Sequence, residues 1–467
     1  MINLCLLSGL TDIRCTMTKI FLVLAGFFIA GLTACSSSRP VAQAEKAQPA
    51  VETVPFSQAP FQGAHVGVCV YDVAADTYLY NYQSDKYFLP ASNTKLFTLY
   101  AGLKYLKDSL PGMYYQETAN TFFIFPTGDP TLLHPDFKRQ PVIEKLQKVD
   151  KPLVIVDDAW KEEVYGPGWS WDDYNEDYMP ERSALPVYGN TIKWIQVAQK
   201  NTQPELQDSL QTFVYSDPEV DWKLRFLGDT VNRAFHVTRN REDNVFKVSQ
   251  GKEAYKEQLV PFITKGVSSA IELLKDTIRK DIKVQPGPRQ TNLSVVHSQP
   301  ADSLFKIMMY RSDNFFAEQT LLMASYEKLK IMRADSMISA LLATDLVAVP
   351  QKPRWVDGSG LSRYNLFTPQ DFVWLLKKMK DEFGLEKMKA ILPGGNQGTL
   401  VNYYKQLQSS LFAKTGSLSN QIALSGYLIT RRNKLLIFSF LVNNHQGSAT
   451  AVRREVEKFL YEIWSKQ

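Results

Sequence analysis

Three short strings in this sequence could do chemistry together. The first is Ser92-Asn93-Thr94-Lys95, which opens a run carrying Leu96, Phe97, Leu99, Tyr100, Leu103 and Leu106. Apolar side chains fall nearly all round that run, which predicts a helix buried inside a domain. A spacing of three puts the Ser92 hydroxyl and the Lys95 amine on one helical face, a turn apart. A serine hydroxyl is a weak nucleophile until a base takes its proton. No histidine is near in sequence, so a neutral Lys95 is the candidate base. Burial in the apolar helix, the positive helix start and a second cation would each favour its neutral form.

The second string, Ser312-Asp313-Asn314, lies between two helical stretches, and the third, Lys414-Thr415-Gly416, lies in a strand-like run before the last hairpin. Ser312 could relay a proton to a leaving amine. Asn314 could hold Lys95 and a substrate amide. Lys414 and Thr415 could bind a carboxylate, with Gly416 and Ser417 beside them. The backbone N–H groups of Ser92 and Ser417 could stabilise an oxyanion. Each string also has an ordinary reading: Ser92 as an N-cap, Lys95 as a solvated side chain, Ser312-Asp313-Asn314 as a helix-break turn, Lys414-Thr415-Gly416 as strand-end residues. Their order and contexts together point to acyl transfer.

These strings need a framework. The chain has 467 residues, 45% hydrophobic and 22% charged, an ordinary globular balance. The length predicts two or three domains. Lys and Arg number 53 against 48 Asp and Glu, too even a balance for nucleic acid to be the partner. The five histidines, His65, His134, His236, His297 and His445, form no HExxH and no close pair. Neither a metal site nor a cofactor is expected.

Ile20 to Leu32 is almost purely apolar, with Arg14 and Lys19 before it. It is short for a membrane span and suits a secretory signal. Leu32-Thr33-Ala34-Cys35 follows and resembles a bacterial lipobox, in which Cys35 carries the lipid. The expectation is a signal peptide over 1–34, with Met17 as the translation start, and a lipidated tether over 35–54. That would place the protein on the periplasmic side of a bacterial membrane, held by lipid. Among the four cysteines, Cys5 and Cys15 would leave with the signal and Cys69 would remain as a small core residue.

Val66 to Val73 and Tyr78 to Tyr82 predict a hairpin. Leu424 to Thr430 and Leu435 to Val442 predict another, around Arg431-Arg432-Asn433-Lys434. Val452, Val456, Phe459, Leu460 and Ile463 make a stripe that should pack on a sheet. Residues 116–289 have a different, β-rich texture. The expected organisation is one α/β domain, 55–115 plus 290–467, split by an insertion over 116–289.

With these residues in view, the sequence resembles a known family. The trio Ser-x-x-Lys, Ser-x-Asn, Lys-Thr-Gly is a signature of penicillin-binding proteins and class A β-lactamases. Asp357-Gly-Ser-Gly-Leu-Ser-Arg363, then Tyr-Asn-Leu-Phe-Thr-Pro369, resembles a hallmark of the S13 family of D-alanyl-D-alanine carboxypeptidases/endopeptidases, the penicillin-binding protein 4 type. Gly128-Asp129-Pro130, Pro167-Gly168-Trp169, Ser312-Asp313-Asn314 with Ala317-Glu318, and Ala413 to Leu418 fit as well. The resemblance implies a serine β-lactamase/DD-peptidase-like fold, an antiparallel sheet with helices on both faces. It implies a serine enzyme acting on peptidoglycan stem peptides and inhibited by β-lactams, with Ser92, Lys95, Ser312, Asn314 and Lys414 in the roles above. It also implies that Arg363 binds the free end of the peptide's diamino acid, helped by an acid and an aromatic from the insertion, for which Asp157 and Trp160 are the matches. A β-lactamase or esterase with the same nucleophile, and a non-catalytic wall-binding lipoprotein, are the alternatives.

Overall fold

A computed structural model describes residues 56, 59–200, 210–228, 234–287 and 292–467. The signal, Cys35 and the tether lie outside them. The first described elements are a hairpin, β1 (His65–Asp72) and β2 (Thr77–Tyr82), then a 3-10 turn at Ala91–Thr94 that leads into α1 (Lys95–Tyr105). Next come β3 (Ser109–Glu117), β4 (Phe122–Pro126), α2 (Pro141–Gln147) and β5 (Leu153–Ile155). They are followed by β6 (Thr191–Lys200), β7 (Leu210–Asp217), β8 (Leu224–Leu227), β9 (His236–Arg239), β10 (Phe246–Ser249) and β11 (Tyr255–Pro261). After α3 (Ser268–Ile278), β12 (Ile282–Val284) and β13 (Ser294–Pro300), the helices α4 (Ala301–Arg311), α5 (Asn314–Leu329), α6 (Ala334–Ala343), α7 (Pro369–Phe383) and α8 (Leu385–Ile391) return. The chain finishes with β14 (Leu411–Leu418), β15 (Gln421–Ile429), β16 (Leu435–Asn443) and α9 (Ala449–Lys466).

The two ends of the chain build one antiparallel sheet in the order β14-β15-β16-β1-β2. Side chains alternate across it, as the period of two requires. Val66, Val68, Val70, Phe438 and Phe440 pack on one face with the α9 stripe Val452, Val456, Leu460 and Ile463. Cys69, Ile437, Leu441 and Tyr427 face the other way, into the core shared with Phe97 of α1 and Leu375 of α7. This is the expected fold class: a sheet covered by helices on both faces.

On the second face a polar row crosses the strands, with Lys414 opposite Ser425, Ser425 opposite Ser439 and Ser439 opposite Cys69. The short side chains leave room for the turn before α1. Asn93 Nδ2 donates to Ser425 Oγ at 2.7 Å, and Ser425 Oγ donates to Ser439 Oγ at 2.8 Å. The sheet thus holds the turn that carries Ser92 through buried hydrogen bonds, whose loss would leave polar groups unsatisfied.

The insertion has a sheet of its own, in the order β12-β5-β4-β3-β13, and two smaller ones, β8-β10-β9 and β11-β6-β7. The first of these sheets extends past the expected 116–289 at both ends. β3 and β13 pair with each other, from Ser294 opposite Tyr115 to Pro300 opposite Ser109, so the insertion's main sheet starts at Ser109 and ends at Pro300. Pro111-Gly112 reads locally as a turn. The cross-strand pairing overrides that reading and leaves an irregular register at His297.

Candidate active site

Ser92 sits in the 3-10 turn, half-buried, and Lys95 is the first residue of α1. The N-cap of α1 is Thr94, without a side-chain cap bond, so capping does not account for Ser92. The turn is held from above by the loop that begins at Asp357. Gly360 has φ +83, and a Cβ there would lie 1.9 Å from the Ala91 carbonyl oxygen. Gly416 of β14 closes the other side, where a Cβ would lie 2.7 Å from the Pro90 carbonyl oxygen. Only glycine permits both approaches.

Lys95 is fully buried. Its Nζ lies 3.0 Å from Ser92 Oγ, 2.6 Å from Asn314 Oδ1 and 2.7 Å from the Ser359 carbonyl oxygen. Asn314 opens α5, and its Nδ2 donates to the Tyr178 carbonyl at 3.0 Å. Ser312 is the left-handed residue that ends α4, with φ +60. Asp313 then caps α5 by accepting from Phe316 N–H at 2.8 Å. The string is a helix break, and the break is what presents Ser312 and Asn314 from two helices to one point. Lys414, also fully buried, donates to Ser312 Oγ at 2.8 Å and to the Thr415 carbonyl at 2.7 Å. Thr415 Oγ1 donates to Thr399 Oγ1 at 2.7 Å.

Burial lowers the Lys95 amine from 10.5 to about 8, against the opposing pull of Asp357, Asp313 and Glu318. Lys414 is held well below the ordinary lysine range, by burial first and then by Lys95. The dominant cause is therefore desolvation, and the carboxylates that oppose it could not be seen in the sequence. A buried amine that gives up its proton near neutrality, 3.0 Å from a hydroxyl, can act as a general base.

Two grooves meet at Ser92 and Ser417. One, of about 690 Å³, is also lined by Trp169, Asp173, Tyr178, Asn314 and Arg363. The other, of about 350 Å³, is lined by Ser312, Thr415, Gly416 and Arg453. Arg453 of α9 donates to Ser417 Oγ at 2.9 Å. The structure thus brings Ser92, Lys95, Ser312, Asn314, Lys414, Thr415, Gly416, Ser417 and Arg363 to one place.

Asp157 and Trp160 line neither groove. Asp157 is half-buried, its carboxyl pushed up to about 6 by burial. Trp160 forms a backbone bridge to Met332. The acid and aromatics that the insertion places beside Arg363 are Asp173, Trp169 and Tyr178. The segment 157–178 holds several acid–aromatic pairs, and the sequence does not tell which one faces the cleft.

Sequence reasoning also missed the Ser359 carbonyl, Arg453 and the partners of the Asp357 loop. Asp357 is fully buried and accepts from Gly360 N–H at 2.9 Å, Ser362 N–H at 2.7 Å, Asn365 Nδ2 at 2.7 Å and Trp169 Nε1 at 2.9 Å. These contacts fix the loop whose Ser359 carbonyl touches Lys95.

The chain is similar to known proteins over most of its length. A family model described as the D-Ala-D-Ala carboxypeptidase 3 (S13) family matches residues 52–463. The chain is 24% identical over 430 residues to "D-alanyl-D-alanine carboxypeptidase DacB" of Haemophilus influenzae, covering 82% of this chain and 86% of that one. It is 25% identical over 433 residues to a "D-alanyl-D-alanine carboxypeptidase" of an Actinomadura species, covering 83% and 79%. Among solved structures, penicillin binding protein 4 from Haemophilus influenzae has the same fold, with a TM-score of 0.68 at 20% identity, covering 86% of this chain and 97% of that one. A second structure of that protein, complexed with a β-lactam, gives a TM-score of 0.64 at 19% identity over the same shares.

Proposed function

We propose, from the premise that this chain belongs to the D-Ala-D-Ala carboxypeptidase 3 (S13) family, that it is a serine DD-peptidase working through an acyl-enzyme on Ser92. The observation that carries the reading is Lys95 Nζ, buried and 3.0 Å from Ser92 Oγ, with Ser312, held by the buried Lys414, on the same groove as Ser92.

Lys95 takes the hydroxyl proton as Ser92 Oγ attacks the carbonyl of a D-Ala-D-X bond in a peptidoglycan stem peptide. The Ser92 and Ser417 N–H groups hold the oxyanion. Ser312, hydrogen-bonded to Lys414, passes a proton to the departing amine as the C–N bond breaks. Water then attacks the acyl ester and frees Ser92. A D-Ala leaving group gives carboxypeptidation, and a diamino-acid side-chain amine gives cross-link cleavage. A β-lactam follows the same first step and leaves Ser92 acylated. In the 690 Å³ cleft, Arg363 binds the carboxylate end of the diamino acid and Asp173 its ammonium.

Incubation with labelled penicillin, followed by mapping of the adduct, tests this. The expected adduct is on Ser92, with D-Ala released from a pentapeptide. No adduct and no D-Ala release would refute it. Rapid turnover of the drug would instead identify a β-lactamase, and wall binding retained by Ser92→Ala without any hydrolysis by the unaltered chain would identify a binding protein.

We further propose that Cys35 carries the lipid and holds the chain on the periplasmic side of a membrane. The apolar run Ile20–Leu32 and the string Leu32-Thr33-Ala34-Cys35 support this. No helix among the described residues is long and apolar enough to cross a membrane. Incorporation of labelled palmitate, lost in Cys35→Ser, is the expected result. Equal incorporation by both chains would overturn it.

A further inference from the structure

The insertion reaches the active site through a buried ion pair. Glu318 lies in the first turns of α5, among Phe315, Phe316, Ala317, Leu321 and Leu322. Its side chain and that of Arg182 are each 1% exposed, with Arg182 Nη1 3.3 Å from Glu318 Oε2. The other carboxylate oxygen, Oε1, accepts the Ser359 N–H at 2.7 Å. Ser359 in turn offers its carbonyl to Lys95 at 2.7 Å.

Arg182 is itself fixed on every side. It donates to the Glu163 carbonyl through Nε at 3.2 Å and Nη2 at 2.9 Å, and Nη2 also reaches Glu162 Oε1 at 3.3 Å. Its guanidinium lies 5.4 Å from the Trp169 ring, and Trp169 donates to Asp357. A continuous set of contacts therefore runs from Glu162 through Arg182, Glu318 and Ser359 to Lys95 and Ser92.

A buried ion pair is weak evidence for stability, because desolvation opposes its attraction. Its geometry here gives it another use. We propose that Arg182 and Glu318 are positioning residues for the acylation of Ser92: the inserted segment's arginine keeps Glu318 in place, and Glu318 holds the Ser359 carbonyl where Lys95 needs it. This rests on the DD-peptidase reading and deepens it, since the insertion becomes part of the machinery that aims the base. Burial and the neighbouring Asp357 raise the Glu318 carboxyl and Arg182 pulls it back, which leaves it at about 7. The groups that bear on Lys95 are Asp357, Asp313, Glu318 and Lys414.

The test is the second-order rate of acylation by a fluorescent penicillin, measured on the full chain from pH 6 to 10. Glu318→Gln retains an acceptor for Ser359 but loses the charge. Arg182→Met leaves Glu318 to take up a proton. Both should slow acylation on the order of 10²-fold, the cost of a misplaced reacting group. Both should also move the acid-side inflection to lower pH, because Lys95 loses a carboxylate that favours its charged form. Arg182→Lys should recover part of the rate. The double variant Arg182→Met/Glu318→Gln, which leaves neither buried charge of the pair alone, should be no slower than either single one. It also carries the readout if a single variant fails to fold. Rates within twofold of the unaltered chain, or slower rates with an unmoved inflection, would overturn the proposal. Absence of label on Ser92 in the unaltered chain would instead count against the DD-peptidase reading.

Discussion

The acylation rate should report the protonation of Lys95. Burial takes its amine from 10.5 to about 8, a shift of roughly 3 kcal/mol towards the neutral form relative to an ordinary lysine. At pH 7 about one Lys95 in eleven is then neutral, against about one in 2,500 for an ordinary lysine. If the neutral amine is the base for Ser92, acylation by a β-lactam should rise about tenfold between pH 6 and 7 and level off near pH 9. The sign follows from the role: protonation below the inflection disables a base. Stopped-flow or gel-based labelling at fixed ionic strength measures the profile. Lys95→Ala should lose about 10²–10⁴ of the rate, the usual share of a general base, together with the inflection near 8. A flat profile between pH 6 and 9, or an inflection near 10, would refute the assignment of Lys95 as the buried base.

Three further outcomes are expected. Gly360→Ala should displace the turn that carries Ser92, since its Cβ would sit 1.9 Å from the Ala91 carbonyl oxygen at φ +83; penicillin labelling should fall sharply, and thermal denaturation should show a lower midpoint. Leu460→Ala removes a side chain that is 1% exposed in the α9–sheet core and should cost about 2–5 kcal/mol in urea unfolding. Cys69 is fully buried and its thiol is pushed up by that burial, so peptide mapping should show no alkylation there at pH 8 in the native protein and complete alkylation in guanidinium.

Much of this site was legible because its chemistry is written in local strings. Ser92 and Lys95 share a turn, Ser312 and Asn314 flank one residue, and Lys414 to Ser417 occupy one strand. The fold class followed from two hairpins and the α9 stripe, each with a clear period. What stayed hidden depends on distant parts of the chain. The carbonyl of Ser359 has no side-chain signature at all. Arg453 reaches Ser417 across 36 residues of sequence, and Arg182 reaches Glu318 across 136. A signal for Glu318 did exist: one acid set between Phe315-Phe316-Ala317 and Leu321-Leu322-Met323. Asp157 and Trp160 show another limit: the segment 157–178 offers several acid–aromatic pairs, and Asp173, Trp169 and Tyr178 are the ones that line the cleft with Arg363. The start of β3 at Ser109 rests on pairing with β13, a distant part of the chain.

The pairing of Ser109 with Pro300 has a consequence for shortening this protein. The stem of the insertion begins and ends on neighbouring strands, so a short linker between those points would rejoin the remainder without stretching the backbone. Connectivity would survive such surgery, but Glu318 would be left in an apolar helix with no counterion. A trimmed chain of this kind should therefore label poorly with penicillin, and a neutral residue at 318 would remove the stranded charge without restoring the rate.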